Sequence, residues 1–156
     1  MRTEVTHPEM RKFLGGFIPF TREAEREWIR SCQQQMKNRS GFVFVIKDIS
    51  DHRFIGSVSL NAIDWISRSS GIGIAIHRPD DWEKGYGTEA MQLLIDFGWN
   101  HLNLRRIELS VHAFNDRAKH VYEKLGFKHW GTAHQRHFID GVYHDTHFME
   151  LFRDSE

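Results

Sequence analysis

The sequence predicts a mixed α/β sheet, antiparallel at its two ends, with one parallel β-α-β crossover in the middle. Three observations predict it. Short apolar runs of strand length recur between residues 42 and 152. Two helical periodicities separate the runs in the middle of the chain. Turn signals at Ser50-Asp51-His52 and at Asp140-Gly141 make hairpins at either end.

From Thr21 to about Asn38 the apolar residues Ala24, Trp28, Cys32 and Met36 recur every fourth position, which reads as an amphipathic helix with Thr21 as its N-cap. Cys32, the only cysteine, is expected to pack in the core on that stripe. FVFVIK (42–47) and the run 54–60 read as strands of the first hairpin. GIGIAI (71–76) is a third strand. After a glycine-rich stretch, Ala90, Leu93, Leu94, Phe97 and Leu102 mark the buried face of a helix that Asn103 stops. RIELSV (106–111) is the next strand. Asn115 or Asp116 caps a short helix that Gly126 ends, and two strands, 127–138 and 142–152, close the chain.

The 156 residues suffice for one domain spanning 1–156. Lys plus Arg (21) equals Asp plus Glu (21), so no net field draws in nucleic acid or an anionic membrane. No apolar run approaches the roughly 20 residues of a spanning helix, and MRTEVTHPEM has no apolar signal core. With a lone cysteine no internal disulfide forms, and a cytoplasmic location is expected.

DDWEKGYGTEAMQLL (80–94) puts Gly85 and Gly87 at the mouth of a helix. A helix start exposes unpaired N–H groups and a partial positive charge, and glycine lets an anion approach the backbone. Residues 82–88 therefore read as an anion cradle, or else as a turn whose glycines only serve chain geometry. A P-loop is excluded because Gly87-Thr88-Glu89 has an acid where lysine must reach the phosphates. A dinucleotide fingerprint is partly matched by Gly85, Gly87, Ala90 and Glu108, which keeps an NAD-binding enzyme as an alternative. Against it, eight residues, HRPDDWEK, separate the strand from the first glycine, and repeated parallel units are lacking.

KGYGTEA, followed by NDRAKHVYEKLGF at 115–127, resembles two motifs of the GNAT N-acetyltransferase superfamily. The first is similar to its pyrophosphate-binding signature, [R/Q]-x-x-G-x-G/A. The second is similar to its N-x-x-A-x-x-x-Y-x-x-x-G-F segment. REAEREWI, the 42–60 hairpin and HFIDGVYHD extend the likeness to the branch of ribosomal-protein alanine and spermidine acetyltransferases. Two departures stand out. Trp82 occupies the place of the motif's Arg or Gln, removing one polar phosphate contact. Relatives also begin with a further strand and the start of a helix, whereas this chain opens near THPEMRKFLG, so part of the acceptor wall is expected to be short or supplied by a partner chain.

The resemblance implies a GNAT-like domain with splayed central strands, acetyl-CoA as cosubstrate and a primary amine as acceptor: a protein N-terminus, a polyamine or a small metabolite. It implies that the diphosphate sits on residues Trp82, Glu83, Lys84, Gly85, Tyr86, Gly87 and Thr88. The pantetheine arm lies along Ala75, Ile76 and His77, with Asn115 hydrogen-bonding it. An N–H near Ile76 serves the oxyanion. Tyr122, two turns beyond Asn115 on one helix face, is the general acid. The amine needs a base, and Glu108, His77 and His112 are all candidates.

Seven of the eleven histidines follow residue 111. A two-residue loop at Asp140-Gly141 would set His137 opposite His144 and His134 opposite His147. Positions three apart on a strand face opposite ways, so no metal site is expected. One pair instead borders the acceptor pocket. A homodimer through the terminal strands, whose edges need covering, is a further expectation. A non-catalytic CoA sensor is the main rival function, and Tyr122 speaks against it.

Overall fold

Thr21 caps the first helix as its position predicts, its hydroxyl accepting the Ala24 N–H at 3.1 Å. The computed structural model describes residues 12–13 and 21–154; most of the opening segment THPEMRKFLG lies outside them. Helix α1 (Arg22–Lys37) leads into strands β1 (Phe42–Lys47), β2 (Phe54–Asp64) and β3 (Ser69–Ile76). A short 3-10 turn (Pro79–Asp81) precedes helix α2 (Tyr86–Asn100). Strand β4 (Arg106–His112), helix α3 (Asp116–Lys124) and strands β5 (Lys128–Ile139) and β6 (Val142–Phe152) follow. The six strands form one sheet in the order β1-β2-β3-β4-β6-β5. Only β3 and β4 are parallel, joined by the α2 crossover, as the pattern of elements predicts.

The centre of the sheet opens. β3 and β4 pair only at Ser69–Arg106, Ser70–Ile107 and Gly71–Glu108. Beyond that point β3 follows β2 as far as Gly56↔Ile76, while β4 follows β6 as far as His112↔Thr146. The two halves therefore part toward the C-terminal ends of the central strands, where open α/β sheets place their ligands. The His77 N–H bonds the Ile55 carbonyl at 3.0 Å. In an antiparallel ladder, that alternation turns the peptide groups of Ile74 and Ile76 the other way, into the gap.

Leu60, Ile72, Met91, Leu94 and Ile107 anchor the core beneath the gap. α2 packs close because Gly98 has no side chain: a Cβ there would lie 3.3 Å from both Ile107 and Leu104. Its buried face is Met91, Leu94, Ile95 and Gly98. Leu93, expected inside, is 65% exposed, because the contact face turns one position further along the helix. The helix ends at Asn100, and Asn103 takes the left-handed conformation expected of it at φ 54°.

The α1 stripe departs from expectation. No residue of α1 is fully buried, and Trp28 is 48% exposed. Cys32 is half-buried rather than in the core, enough to push its thiol pKa up. Among the described residues, no helix is long and apolar enough to cross a membrane.

In the terminal hairpin Asp140 (φ 51°) and Gly141 (φ 82°) make the expected two-residue turn, and His137 faces His144. His134 does not face His147. A bulge between Ala133 and His137, with Gln135 at φ 50°, shifts the register so that Thr132 meets His147. His134 instead bonds Asp145 at 3.0 Å, and the Asp145 carboxylate also accepts the Gln135 N–H.

Candidate active site

The loop after β3 is pinned from below. Asp81, in the 3-10 turn, is 3% exposed, and Arg53 grips its carboxylate with two hydrogen bonds of 2.8 Å. Those bonds hold the Asp81 pKa below the usual carboxylate value. The Tyr86 hydroxyl donates a short hydrogen bond to Asp48, tying the first residue of α2 to the β1–β2 turn. That carboxylate is lowered to about 2, first by the Ser50 hydroxyl and then by Tyr86.

Between these pins the backbone bends twice into the left-handed region, at Glu83 (φ 59°) and at Gly85 (φ 86°). Gly85 takes it at no steric cost, whereas a non-glycine residue there is strained by about 1–2 kcal/mol. Strain of this kind gathers at ligand sites. Gly85 is the N-cap of α2 and offers no side-chain cap, so the first N–H groups of the helix stay unpaired by it.

A cleft of about 760 Å³ fills the gap in the sheet. Of the predicted cosubstrate-binding residues, Ala75, Ile76, Trp82, Glu83, Gly85, Gly87, Thr88 and Asn115 line it. His77, Lys84 and Tyr86 do not. His77 packs its ring edge-on against Phe54 at 4.9 Å, and Tyr86 is turned to Asp48. Asn115 caps α3, its side-chain oxygen accepting the Ala118 N–H at 3.2 Å, which leaves its NH₂ group for a ligand.

Tyr122 enters the cleft from α3 and is only 9% exposed. Burial pushes its phenol up to about 12. No described residue hydrogen-bonds the hydroxyl. Glu108 does not line the cleft: it faces Gly71 in the last β3–β4 pair before the strands part, and its carboxylate pairs with Arg106 at 2.9 Å.

Two polar groups that strand periodicity alone does not single out sit side by side at the other end. His112 and Thr146 are direct partners across β4 and β6, and both line the cleft. His112 Nδ1 and Thr146 Oγ1 are buried without any hydrogen-bond partner. Thr146 is 3% exposed. Burial lowers the His112 imidazole pKa, and His137 and His144 push the same way. His137 stands edge-on to His112 at 4.9 Å, and Phe114 stacks on it at 5.2 Å. Orphaned buried polar atoms are rare in folded proteins, and each costs about 1–3 kcal/mol. Among the described residues, no three His, Cys, Asp or Glu side chains gather as a metal site would need.

A family model described as an acetyltransferase (GNAT) domain matches residues 2–128. The chain is 31% identical to the probable N-acetyltransferase YjcK of Bacillus subtilis over 138 residues, 88% of this chain and 76% of that one. It is 34% identical to the spermidine N(1)-acetyltransferase of Escherichia coli (strain K12) over 116 residues, 69% of this chain. The match spans 62% of that relative, a little under two thirds of its length. Among solved structures, spermidine N-acetyltransferase from Vibrio cholerae in complex with CoA and spermine superposes with a TM-score of 0.82 at 26% identity. That match covers 92% of this chain and 82% of the other.

Proposed function

Because the chain belongs to the GNAT acetyltransferase family and has acetyl-CoA as its cosubstrate, we propose that it acetylates a primary amine in the gap between β3 and β4, with Tyr122 as general acid and His112 as general base. The observation that carries this reading is Tyr122, a largely buried side chain whose hydroxyl bonds no described residue, in a cleft between diverging strands. Acetyl-CoA supplies an activated acyl group as a thioester.

The N–H groups around Gly85–Thr88 hold the diphosphate. The peptide edge at Ile74 and the Ile76 N–H, with the Asn115 NH₂, accommodate an amide-bearing arm much as a sheet edge takes a strand, the Ile76 carbonyl being taken by the Trp82 indole N–H. The Ile76 N–H is the oxyanion donor. Tyr122 donates to the departing sulfur. His112, kept neutral by burial, accepts the amine's proton. Thr146 gives the incoming N–H a second acceptor.

The acceptor is open among peptide N-termini, polyamines and small amines. Polyamines are the first to test because two of the compared proteins are named for spermidine. The carboxylates Asp64, Glu108 and Asp145 do not line the cleft, and each is engaged elsewhere, by Ser67, Arg106 and Gln135 respectively. A cytoplasmic site of action suits the cosubstrate. Self-association through the edge strand β5, which exposes Trp130 and Phe138, remains part of the proposal.

The test follows thiol release from acetyl-CoA against a panel of the three amine classes, beside thermal shifts with CoA and NAD. Stabilisation by CoA but not NAD, with turnover of at least one amine, is expected. Tight CoA binding without turnover of any amine would favour the sensor. A narrower test concerns Thr146→Val. Removing an unsatisfied hydroxyl for an isosteric methyl should leave stability unchanged or raise it by up to about 1 kcal/mol, while kcat/KM for the amine falls about tenfold. A Tm drop matching the activity loss would make Thr146 merely structural.

A further inference from the structure

We infer that Arg117, held over the Trp82 ring, supplies the phosphate contact that the loop motif normally makes with Arg or Gln at position 82. The inference rests on the proposed CoA site. Three observations on the chain itself lead to it.

First, the cradle lacks a cation of its own in the cleft. Lys84 does not line it, whereas Glu83 does, bringing a carboxylate beside the expected diphosphate. Second, the Arg117 guanidinium carbon lies 3.7 Å from the Trp82 ring centroid and 5.4 Å from that of Phe13. The Trp82 ring is itself fixed, since its indole N–H donates to the Ile76 carbonyl at 3.1 Å and Phe13 packs edge-on at 5.8 Å. Third, Arg117 lines the cleft yet makes no ion pair with a described carboxylate. Its neighbour Asp116 is taken by Lys119 at 2.8 Å.

The geometry of the stack matters. Lying over an indole occupies the faces of the guanidinium plane, while all five N–H donors point outward in that plane. A stacked arginine thus keeps its planar fork, whose geometry fits a phosphate, and gives up little rotamer freedom when it binds. Trp82 is a positioning residue: the indole holds from the loop a cation that arrives from the first turn of α3. The substitution of Trp for Arg or Gln at position 82 moves the charge to a different element and leaves it in the same cleft.

The test is calorimetry of CoA, dephospho-CoA and pantetheine at two salt concentrations. Arg117→Gln is expected to weaken CoA about thirtyfold and to flatten its salt dependence, with pantetheine binding unchanged. Trp82→Leu should cost a similar factor in the wild-type background but little in the Arg117→Gln background, while Trp82→Phe retains most of the affinity. If the loss persists with dephospho-CoA, the diphosphate is the partner; if it vanishes, the 3′-phosphate is. Undiminished CoA affinity in Arg117→Gln overturns the inference, as does an equal loss for pantetheine. A Trp82→Leu cost that is the same in both backgrounds overturns the role of the stack. Failure of the wild type to bind CoA at all would instead sink the proposed function.

Discussion

Tyr122→Phe is expected to lower kcat about a thousandfold while leaving CoA affinity unchanged. The ring packs between α3 and the core, 6.1 Å from Phe127, and phenylalanine fills the same space. The substitution therefore removes one oxygen and no apolar contact. That oxygen bonds no described residue, so its loss should not lower Tm. Because burial pushes the phenol up to about 12, it stays protonated across the whole working range. A free thiol titrates near 8.5. The phenol is the weaker acid of the two, so its part is a strong hydrogen bond to the sulfur as negative charge develops there. Full proton transfer waits until burial of the new thiolate narrows the difference. It follows that the rate loss is uniform between pH 6 and 9, where the phenol does not titrate. Pre-steady-state acetyl transfer with a good amine would measure it. A mutant retaining more than a tenth of wild-type kcat would remove Tyr122 from the chemistry.

The parts of this site that are local in sequence were legible there. Gly85 and Gly87 at a helix mouth, Asn115 as a cap and Tyr122 two turns on are all fixed by short-range spacing, and the cleft gathers each of them. The parting of β3 from β4 was expected only through the family likeness. It comes from two long antiparallel partnerships, β3 with β2 and β4 with β6, that outcompete a parallel pairing of three residues. What stayed hidden depends on register or on contacts distant along the chain. An acid on a central strand gives no sign that Glu108 will share Arg106 with Glu150. Arg53 lies 28 residues before Asp81 and meets it only after the hairpin folds. His134 was misplaced because the alternation of a strand cannot announce a bulge, and the one signal was a run of polar residues around Gln135. Thr146 gained meaning only once its partner His112 was known.

His112→Asn is expected to cut kcat/KM for the amine about a hundredfold at pH 7. Asparagine keeps a polar atom near the Nδ1 position but cannot take a proton. The size of the loss should therefore depend on pH. A primary amine arrives mostly protonated at neutral pH, and its neutral fraction grows as pH rises toward its own pKa, about 8 for a peptide N-terminus and about 10 for an alkyl amine. The deficit should shrink over that range, because the variant needs less help from a base. Stability gives an independent reading. The folded His112 pKa lies below the unfolded value of 6.5, mainly through burial and secondarily through His137 and His144. The unfolded chain then binds the proton first, so the stability this residue permits is fully present above 6.5. It is lost as pH falls from 6.5 to the folded value. In His112→Asn that share of acid sensitivity disappears, and the fall in Tm between pH 7 and pH 5 becomes shallower than in wild type. A pH-independent rate loss with an unchanged acid limb would mean that His112 only packs against Phe114, and that water or the amine's own equilibrium supplies the neutral nucleophile.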